Sequence, residues 1–126
     1  MGDEVSIGVT IDCRDAGSLA EFWRSAIQYD LAPARPGVTW RTLRRPASAS
    51  GPNHLHFQTV AEGKEVKNRV HLDLFVDDLD AEVSRHQSLG AIRAEGITGA
   101  GYNQRNVVLL DPEGNEYCLV QRRSAT

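Results

Sequence analysis

His71 and Asp73 are separated by one position within residues 70–76 of this 126-residue chain. An imidazole takes up or releases a proton near neutral pH, and a neighbouring carboxylate fixes its tautomer and raises its basicity. If the segment is extended, the two side chains lie on the same face. The pair therefore predicts a general base or a metal ligand. The structural alternative is that the two groups satisfy each other or the backbone within a sheet.

Three further polar residues occupy alternating positions. Asp12 follows the apolar–polar alternation of residues 5–13 and is a candidate second acid or base; it could equally bond a neighbouring loop amide. His54 and His56 alternate with apolar residues, which places both imidazoles on one face of a predicted strand. That spacing can bind a metal or a carboxylate, although polar residues of a partly exposed strand show the same pattern.

Two stretches with a period of two position these side chains, and each predicts a half-buried strand. The packed residues are predicted to be Val5, Ile7, Val9 and Ile11 in the first stretch and Val70, Leu72, Leu74 and Val76 in the second. A helix follows each strand, capped by Asp15 in the first case and by Asp78 or Asp80 in the second. The helical stripes are Leu19, Phe22, Trp23, Ala26 and Ile27, and then Leu79, Val83 and Leu89.

The chain contains an internal repeat, because residues 7–15 align with residues 70–78 without a gap. Further strands are predicted at residues 38–43, 54–60, 106–110 and 117–121, with a tight turn at 111–115. The pattern predicts an α+β fold: one domain over 1–126 made of two βαβββ modules, about 4–60 and 69–122. They form a curved mixed sheet around one pocket, with the helices outside.

The residues opposite the packed stripes are predicted to face this pocket. They are Gly8, Thr10 and Asp12 in the first half, and His71, Asp73 and Phe75 in the second. Aromatic and apolar surfaces usually line small-molecule sites. The predicted substrate-binding set is Trp40, His56, Gln58, Phe75 and Tyr102.

The composition is that of an ordinary globular protein, with 40% apolar and 25% charged residues and a net charge of −3. This balance argues against nucleic acid as a partner. Cys13 and Cys118 lie in apolar segments and are predicted to be buried, reduced thiols. The acidic N-terminal segment and the lack of a run of roughly 18 apolar residues argue against a signal peptide or a membrane helix. We therefore expect a cytoplasmic protein.

Residues 71–91 (HLDLFVDDLDAEVSRHQSLGA) and 111–120 (DPEGNEYCLV) resemble the glyoxalase-like branch of the vicinal oxygen chelate superfamily. Residues 10–23 and 67–74 are similar to small glyoxalase-like domain proteins, so the resemblance covers nearly the whole chain. It implies the two-module fold derived above. Members of the superfamily include glyoxalases, ring-cleaving dioxygenases, epimerases, fosfomycin-resistance enzymes and metal-free bleomycin-binding proteins, so the resemblance does not fix the reaction.

The resemblance also implies a divalent metal held by one side chain from the first and one from the last strand of each half. The matching positions are Gly8, about Gln58, His71 and Cys118. Of these, His71 is a good match, whereas Gly8 has no side chain and Cys118 is an unusual ligand for an oxygen-chelating metal.

A shift of two residues along a strand keeps a side chain on the same face. Glu116 then replaces Cys118, and His56 joins or replaces Gln58. The resulting metal prediction is His71, Gln58 and Glu116, with His56 as a further ligand.

The sequence thus predicts a protein that binds a small oxygen-rich or aromatic metabolite, with His71, Asp73 and Asp12 performing polar recognition or acid–base chemistry of the lyase or isomerase type. One alternative is a non-catalytic binder of the bleomycin-resistance type. A second is a divalent-metal-dependent glyoxalase or dioxygenase. No cofactor is certain, and the resemblance implies a homodimer.

Overall fold

A computed structural model of the chain describes residues 4–35, 37–97 and 105–123. The chain divides into two compact units, Met1–Gly63 and Lys64–Thr126, called here the first and second units. The elements of the first unit are β1 (Gly8–Cys13), α1 (Ala16–Ile27), β2 (Asp30–Leu31), β3 (Trp40–Arg44) and β4 (His54–Thr59). Those of the second unit are β5 (Leu72–Val76), α2 (Leu79–Leu89), β6 (Ile92–Ile97), β7 (Asn106–Leu110) and β8 (Glu116–Gln121).

The sheet of the first unit has the strand order β1-β4-β3-β2. Strand β1 runs parallel to β4, and β4 runs antiparallel to β3. Helix α1 begins where the Asp15 carboxylate accepts from the Ser18 N–H, and it ends at Gln28, which has a left-handed backbone. The core residues alternate along the strands and recur along one side of the helix: Cys13, Leu43, Leu55 and Phe57, with Leu19, Phe22, Trp23 and Ala26.

The second unit repeats this arrangement with the strand order β5-β8-β7-β6. Strand β5 runs parallel to β8, and β8 runs antiparallel to β7. Asp78 caps α2 by accepting from the Ala81 N–H, and Gly90 ends it with a φ of 119°. The buried residues of the second unit include Leu79, Val83 and His86 of α2, and Val107, Leu109, Tyr117 and Leu119 of β7 and β8.

In each sheet, the side chains that alternate with the packed ones form what we call the open face. In the first unit they are Gly8, Thr10, Asp12, Trp40, Thr42, Arg44, His54, His56 and Gln58. In the second unit they are Asp73, Phe75, Asn106, Val108, Leu110, Glu116, Cys118 and Val120, of which Cys118 and Val120 are nevertheless buried. The two mixed sheets with their helices confirm the predicted α+β fold class.

The bounds of the first strand in each unit differ from the prediction. Val5, Ile7 and Val70 are exposed rather than packed, because β1 begins only at Gly8 and β5 only at Leu72. Leu89, assigned to the second helical stripe, is also partly exposed at the end of α2. The packed stripe is therefore shorter than the alternation of apolar residues.

Two strands were not located from the sequence. Strand β2 has two residues, and β6 contains a glycine and an irregular register between Arg93 and Ile97 where it pairs with β7. Neither segment shows a clean period of two. Both cysteines are buried thiols, as predicted from their apolar surroundings. Within the described ranges, no helix has the length and apolar character needed to cross a bilayer.

Candidate functional site

The His71 and Asp73 side chains meet at the edge of the second unit's sheet. Asp73 lies within β5, and His71 immediately precedes that strand. The His71 Nδ1 atom is 3.1 Å from the Asp73 Oδ1 atom, and the two side chains are 39% and 46% exposed. The carboxylate can therefore accept from Nδ1–H, which leaves the lone pair of Nε2 to take up a proton. Because both groups are exposed in part, a small molecule could reach this imidazole.

Cys118 on β8 lies beside Asp73, which is its partner in the parallel register. Burial raises the pKa of the Cys118 thiol, and the charge and hydrogen bond of Asp73 raise it further, while the charge of Lys67 lowers it in part. The thiol is thus protonated near neutral pH and donates to the Asp73 carboxylate. Cys118 serves as a neutral hydrogen-bond donor here and is not an activated nucleophile.

His71, Asp73 and Cys118 bring an imidazole nitrogen, a carboxylate oxygen and a sulfur atom within 4.8 Å of one another. This mixed donor set fits Zn²⁺, which accepts nitrogen, oxygen and sulfur ligands. It does not fit Mg²⁺, which requires six oxygen ligands. The three residues are thus candidates to hold a thiophilic ion.

The other two members of the predicted metal set are placed differently. Burial alone would raise the pKa of Glu116, but hydrogen bonds from the Asn68 N–H and from Lys64 lower it overall. The Glu116 carboxylate accepts from the Asn68 N–H at 3.0 Å and pairs with the Lys64 Nζ atom at 3.2 Å. These bonds anchor the segment before β5 to the start of β8. Gln58 lies on the open face of the first unit, whereas His71 and Glu116 belong to the second.

The open face of the first unit contains a row of rings. The His56 ring centroid is 5.1 Å from that of Trp40 and 5.5 Å from that of His54, and the two imidazoles are nearly parallel. Trp40 Nε1 donates to Thr42 Oγ1 at 3.2 Å, and Thr42 Oγ1 lies 2.9 Å from His56 Nδ1. Burial lowers the pKa of His56, and the charge of His54 lowers it further. His56 is therefore neutral near pH 7.

Gly8 and Asp12 flank this row on β1. A Cβ atom at Gly8 would lie 3.6 Å from His56 Nε2, so the His56 imidazole of β4 reaches the space next to Gly8. Asp12 is exposed and is the register partner of Gln58. Asp12 belongs to the first unit, and the candidate acid–base residues His71 and Asp73 belong to the second.

The remaining predicted residues fall in different places. Phe75 is exposed on the open face of the second unit, and Tyr102 lies outside the described residues. His86 packs in the core, with its Nδ1 atom 2.7 Å from the Tyr117 hydroxyl. Sequence reasoning missed the bond from Cys118 to Asp73, because it depends on the register of β5 with β8. The period of two does place Cys118 and Glu116 on one face.

The chain belongs to the glyoxalase-like domain family, whose model matches residues 8–120. No curated protein matches the sequence.

Solved structures of this superfamily share the fold. An enzyme of the glyoxalase/bleomycin resistance protein/dioxygenase family from Burkholderia phytofirmans PsJN is 21% identical, with a TM-score of 0.72 over 90% of this chain and 95% of that one. The fosfomycin resistance protein FosX from Mesorhizobium loti is 14% identical, with a TM-score of 0.67 over 98% and 95% of the two chains. A lactoylglutathione lyase from Agrobacterium tumefaciens is 14% identical, with a TM-score of 0.64 over 95% and 94%. At these sequence identities, the similarity shows a shared fold and does not identify a specific reaction.

Proposed function

We propose that this protein binds a small oxygen-rich or aromatic metabolite and performs lyase or isomerase chemistry in which His71 transfers a proton. The observation that carries the proposal is the 3.1 Å contact between His71 Nδ1 and Asp73 Oδ1. A carboxylate in this position fixes the imidazole tautomer and stabilises the imidazolium that forms when Nε2 accepts a proton. We place the protein in the cytoplasm as part of the same proposal.

The geometry suits removal of a proton from a carbon atom next to a carbonyl group. Nε2 of His71 takes the proton, Asp73 balances the resulting positive charge, and the protonated Cys118 thiol holds the carboxylate from the other side. When the same carbon carries a hydroxyl group, the electron pair moves onto the carbonyl oxygen to give an enediolate. Return of the proton from Nε2 to the former carbonyl carbon, with transfer of the hydroxyl proton to the former carbonyl oxygen, completes an isomerisation.

The test uses the hemithioacetal of methylglyoxal and glutathione, which carries an acidic C–H bond of this kind. We expect turnover in D₂O with product deuteration measured by NMR, and a loss of about 10²–10⁴-fold in the His71→Gln variant. His54→Gln, a histidine of the first unit, is the matched control. Equal turnover by the native protein and His71→Gln, or no turnover by the native protein, would overturn the proposal.

A second candidate function, a non-catalytic binder of planar aromatic ligands, is favoured by the ring row of the first unit. Trp40, His56 and His54 present three rings in succession on the open face. Aromatic faces stack with planar ligands at this spacing. In this reading the protein sequesters its ligand, and the His71–Asp73 pair is structural.

Tryptophan fluorescence tests this candidate with 4-nitrobenzoate as the probe. Trp40 is partly exposed on the open face, whereas Trp23 is buried against Phe22 in an edge-to-face contact. We expect saturable quenching that disappears in Trp40→Phe and persists in Trp23→Phe. Quenching that survives the Trp40→Phe change would contradict a binding site at the ring row.

A homodimer remains part of the proposal, based on the family resemblance. Light scattering coupled to size-exclusion chromatography measures the mass directly against the 13.9 kDa of one chain. A mass of one chain at micromolar concentration would reject the dimer.

A further inference from the structure

We propose that the open face of the first unit selects planar aromatic ligands that carry a carboxylate, and that Arg44 is the residue that binds this carboxylate. The proposal rests on the second candidate function, the non-catalytic binder, and it names the class of ligand for that binder. The ring row of Trp40, His56 and His54 contacts the aromatic part of the ligand, and the Arg44 guanidinium contributes the positive charge.

The strand register brings Arg44 to one end of the ring row. Arg44 is the last residue of β3 and is the register partner of His54 on β4. Residues directly opposite each other in an antiparallel pair lie on the same face, with their Cβ atoms about 4.5–5.5 Å apart. The His54 ring centroid is in turn 5.5 Å from that of His56. A ring that contacts these imidazoles therefore has its substituents within reach of the Arg44 side chain.

The Arg44 guanidinium is accessible to a ligand. Arg44 is exposed, and within the residues that the structure describes its side chain forms no hydrogen bond or ion pair. The neighbouring arginines differ, because Arg41 donates to the Val38 carbonyl and Arg45 donates to the Gly51 carbonyl, each at 2.7 Å. A guanidinium is planar and donates two parallel hydrogen bonds to the two oxygens of a carboxylate. This geometry favours a planar carboxylate as the ligand group.

The charges along the open face determine the orientation of the ligand. Asp12, Gln58 and Trp40 are aligned across three strands at the other end of the ring row, and Asp12 is exposed. Trp40 and Arg44 are four residues apart on β3, which corresponds to about 13 Å along the strand. The Asp12 carboxylate repels an anion near Trp40. The carboxylate of the ligand is therefore expected at the Arg44 end.

Asp30 limits the strength of this interaction. It is the register partner of Arg44 on β2 and is exposed, although no ion pair joins the two side chains within the described part of the chain. Its negative charge opposes a second carboxylate beside Arg44. Because all these groups are exposed, we expect the charge of the ligand to raise its affinity only by about three- to fivefold.

The experiment compares two probes of nearly the same shape, 4-nitrobenzoate and the uncharged 4-nitrobenzamide. Both are titrated into the full chain, and binding is followed by quenching of Trp40 fluorescence. We expect the benzoate to bind about three- to fivefold more tightly at low ionic strength, and we expect salt to reduce this preference because salt screens exposed charges. Equal affinities would overturn the role of Arg44 and leave the ring-row binder in place. No quenching by either probe would overturn both.

Two adjacent arginines provide a matched pair of variants. Arg44→Gln should abolish the preference for the benzoate and leave the affinity for the amide unchanged. Arg45→Gln makes the same change of charge one residue further along, at a side chain that donates to the Gly51 carbonyl and is not part of the open face. This variant should keep the preference. A preference that survives Arg44→Gln, or that is lost in Arg45→Gln, contradicts the proposal.

A third variant decides the question if Arg44→Gln fails to fold. Asp30→Asn keeps the guanidinium and removes the negative charge beside it, so the benzoate should bind more tightly, by up to about fivefold. The affinity for the amide should not change, and circular dichroism should show an unchanged fold, because Asp30 is exposed. Unchanged or weaker binding of the benzoate in Asp30→Asn overturns the proposal.

Discussion

In the first unit the histidines of the open face stand on the interior strand β4, whereas in the second unit His71 precedes the edge strand β5. The backbone plans are the same, with a parallel pair, a capped helix and two antiparallel strands in each unit. At the position of the Thr10–His56 pair in the first unit, the second has the Asp73–Cys118 pair. One scaffold thus supports a stacked ring row in one unit and a cluster of an imidazole, a carboxylate and a thiol in the other.

The cores differ in the same way. The offset of 63 residues that aligns Ile7 with Val70 continues through the helices, so Trp23 corresponds to His86. On the interior strands, the register places Leu55 in the first unit at the position of Tyr117 in the second. All four residues are buried; those of the first unit are apolar, whereas His86 and Tyr117 form a hydrogen-bonded polar pair. A repeated fold can therefore keep a core position buried while its chemistry changes.

Truncation of the core at equivalent strand positions should have the largest effect. Phe57 and Leu119 are fully buried, and each lies in the interior strand of its unit. Phe57→Ala should lower the free energy of unfolding by about 3–5 kcal/mol and Leu119→Ala by about 2–5 kcal/mol, because each leaves a cavity. Urea unfolding followed by circular dichroism measures both.

The same experiment tests whether the two units unfold together. Both tryptophans lie in the first unit, so fluorescence reports that unit alone. If Leu119→Ala shifts the fluorescence transition as much as the dichroism transition, the two units unfold together. A loss below about 1 kcal/mol in either variant would contradict the core assignment, since truncation of a buried Leu or Phe costs more than this.

The polar core pair of the second unit should have the next largest effect. Tyr117→Phe removes the 2.7 Å bond to the buried His86 and should lower the free energy of unfolding by about 1–3 kcal/mol. Leu55→Met at the corresponding position of the first unit is the matched control, with an expected loss below about 1.5 kcal/mol. Thermal or urea unfolding measures both, and a neutral Tyr117→Phe would show that the bond contributes nothing to stability.

The helix caps should contribute equally in the two units. Asp15→Ala and Asp78→Ala each remove a carboxylate that accepts from a first-turn N–H group, and each should cost about 1 kcal/mol. Asp77→Ala is a control next to the second cap, because it removes only an exposed ion pair with Arg122, worth about 0–1 kcal/mol. A cap variant that unfolds at the same urea concentration as the native protein would contradict the role of that cap.

The cap of α1 also predicts a pH dependence. Hydrogen bonds from the Ser18 backbone and hydroxyl lower the pKa of Asp15 from its ordinary value of 3.8. A lowered pKa means that the stabilisation is present above the unfolded value and is lost as the pH falls through the folded value. The free energy of unfolding, measured between pH 2 and 7, should therefore fall less on acidification in Asp15→Asn than in the native protein. The same pH dependence in both proteins would contradict this prediction.

The smallest expected effect concerns the ring row. Burial and the charge of His54 lower the pKa of His56 from 6.5. The stability that depends on a neutral His56 is therefore present above pH 6.5 and is lost as the pH falls through the folded pKa. His54→Gln should raise the pKa of His56 toward 6.5 without restoring it, because burial is the larger cause. An NMR titration of the imidazole resonances measures the change, and no change would mean that His54 does not act on His56.

The sequence was sufficient for the repeat, the helix caps and the faces of the strands, because each depends on local spacing. Asp15 and Asp78 cap their helices as predicted, and Asp12 and Asp73 are exposed while Cys13 is packed. The predicted first strand of each unit was too long, because the prediction used apolar residue type alone. Ile7 and Val70 are apolar but lie outside the strand ladders.

The site was harder to predict, because it depends on register between distant strands. The contact of His71 with Asp73 follows from their spacing, whereas the bond from Cys118 to Asp73 requires the alignment of β5 with β8. The bonds of Lys64 and Asn68 to Glu116 connect residues about fifty positions apart and have no local signal. Local patterns identify the face on which a residue lies, but they do not identify its neighbours on the adjacent strands.

The parallel pairing of β1 with β4 has a consequence for how each unit forms. Gly8 meets His54 only after three other elements have been made, and Asp73 likewise waits for Cys118. Contacts between residues far apart in sequence slow folding, because the intervening chain must close first. On the ribosome, the opening strand of each unit therefore stays without its ladder until the last strand of that unit emerges, so Asp73 can meet Cys118 only when nearly the whole second unit has been synthesised.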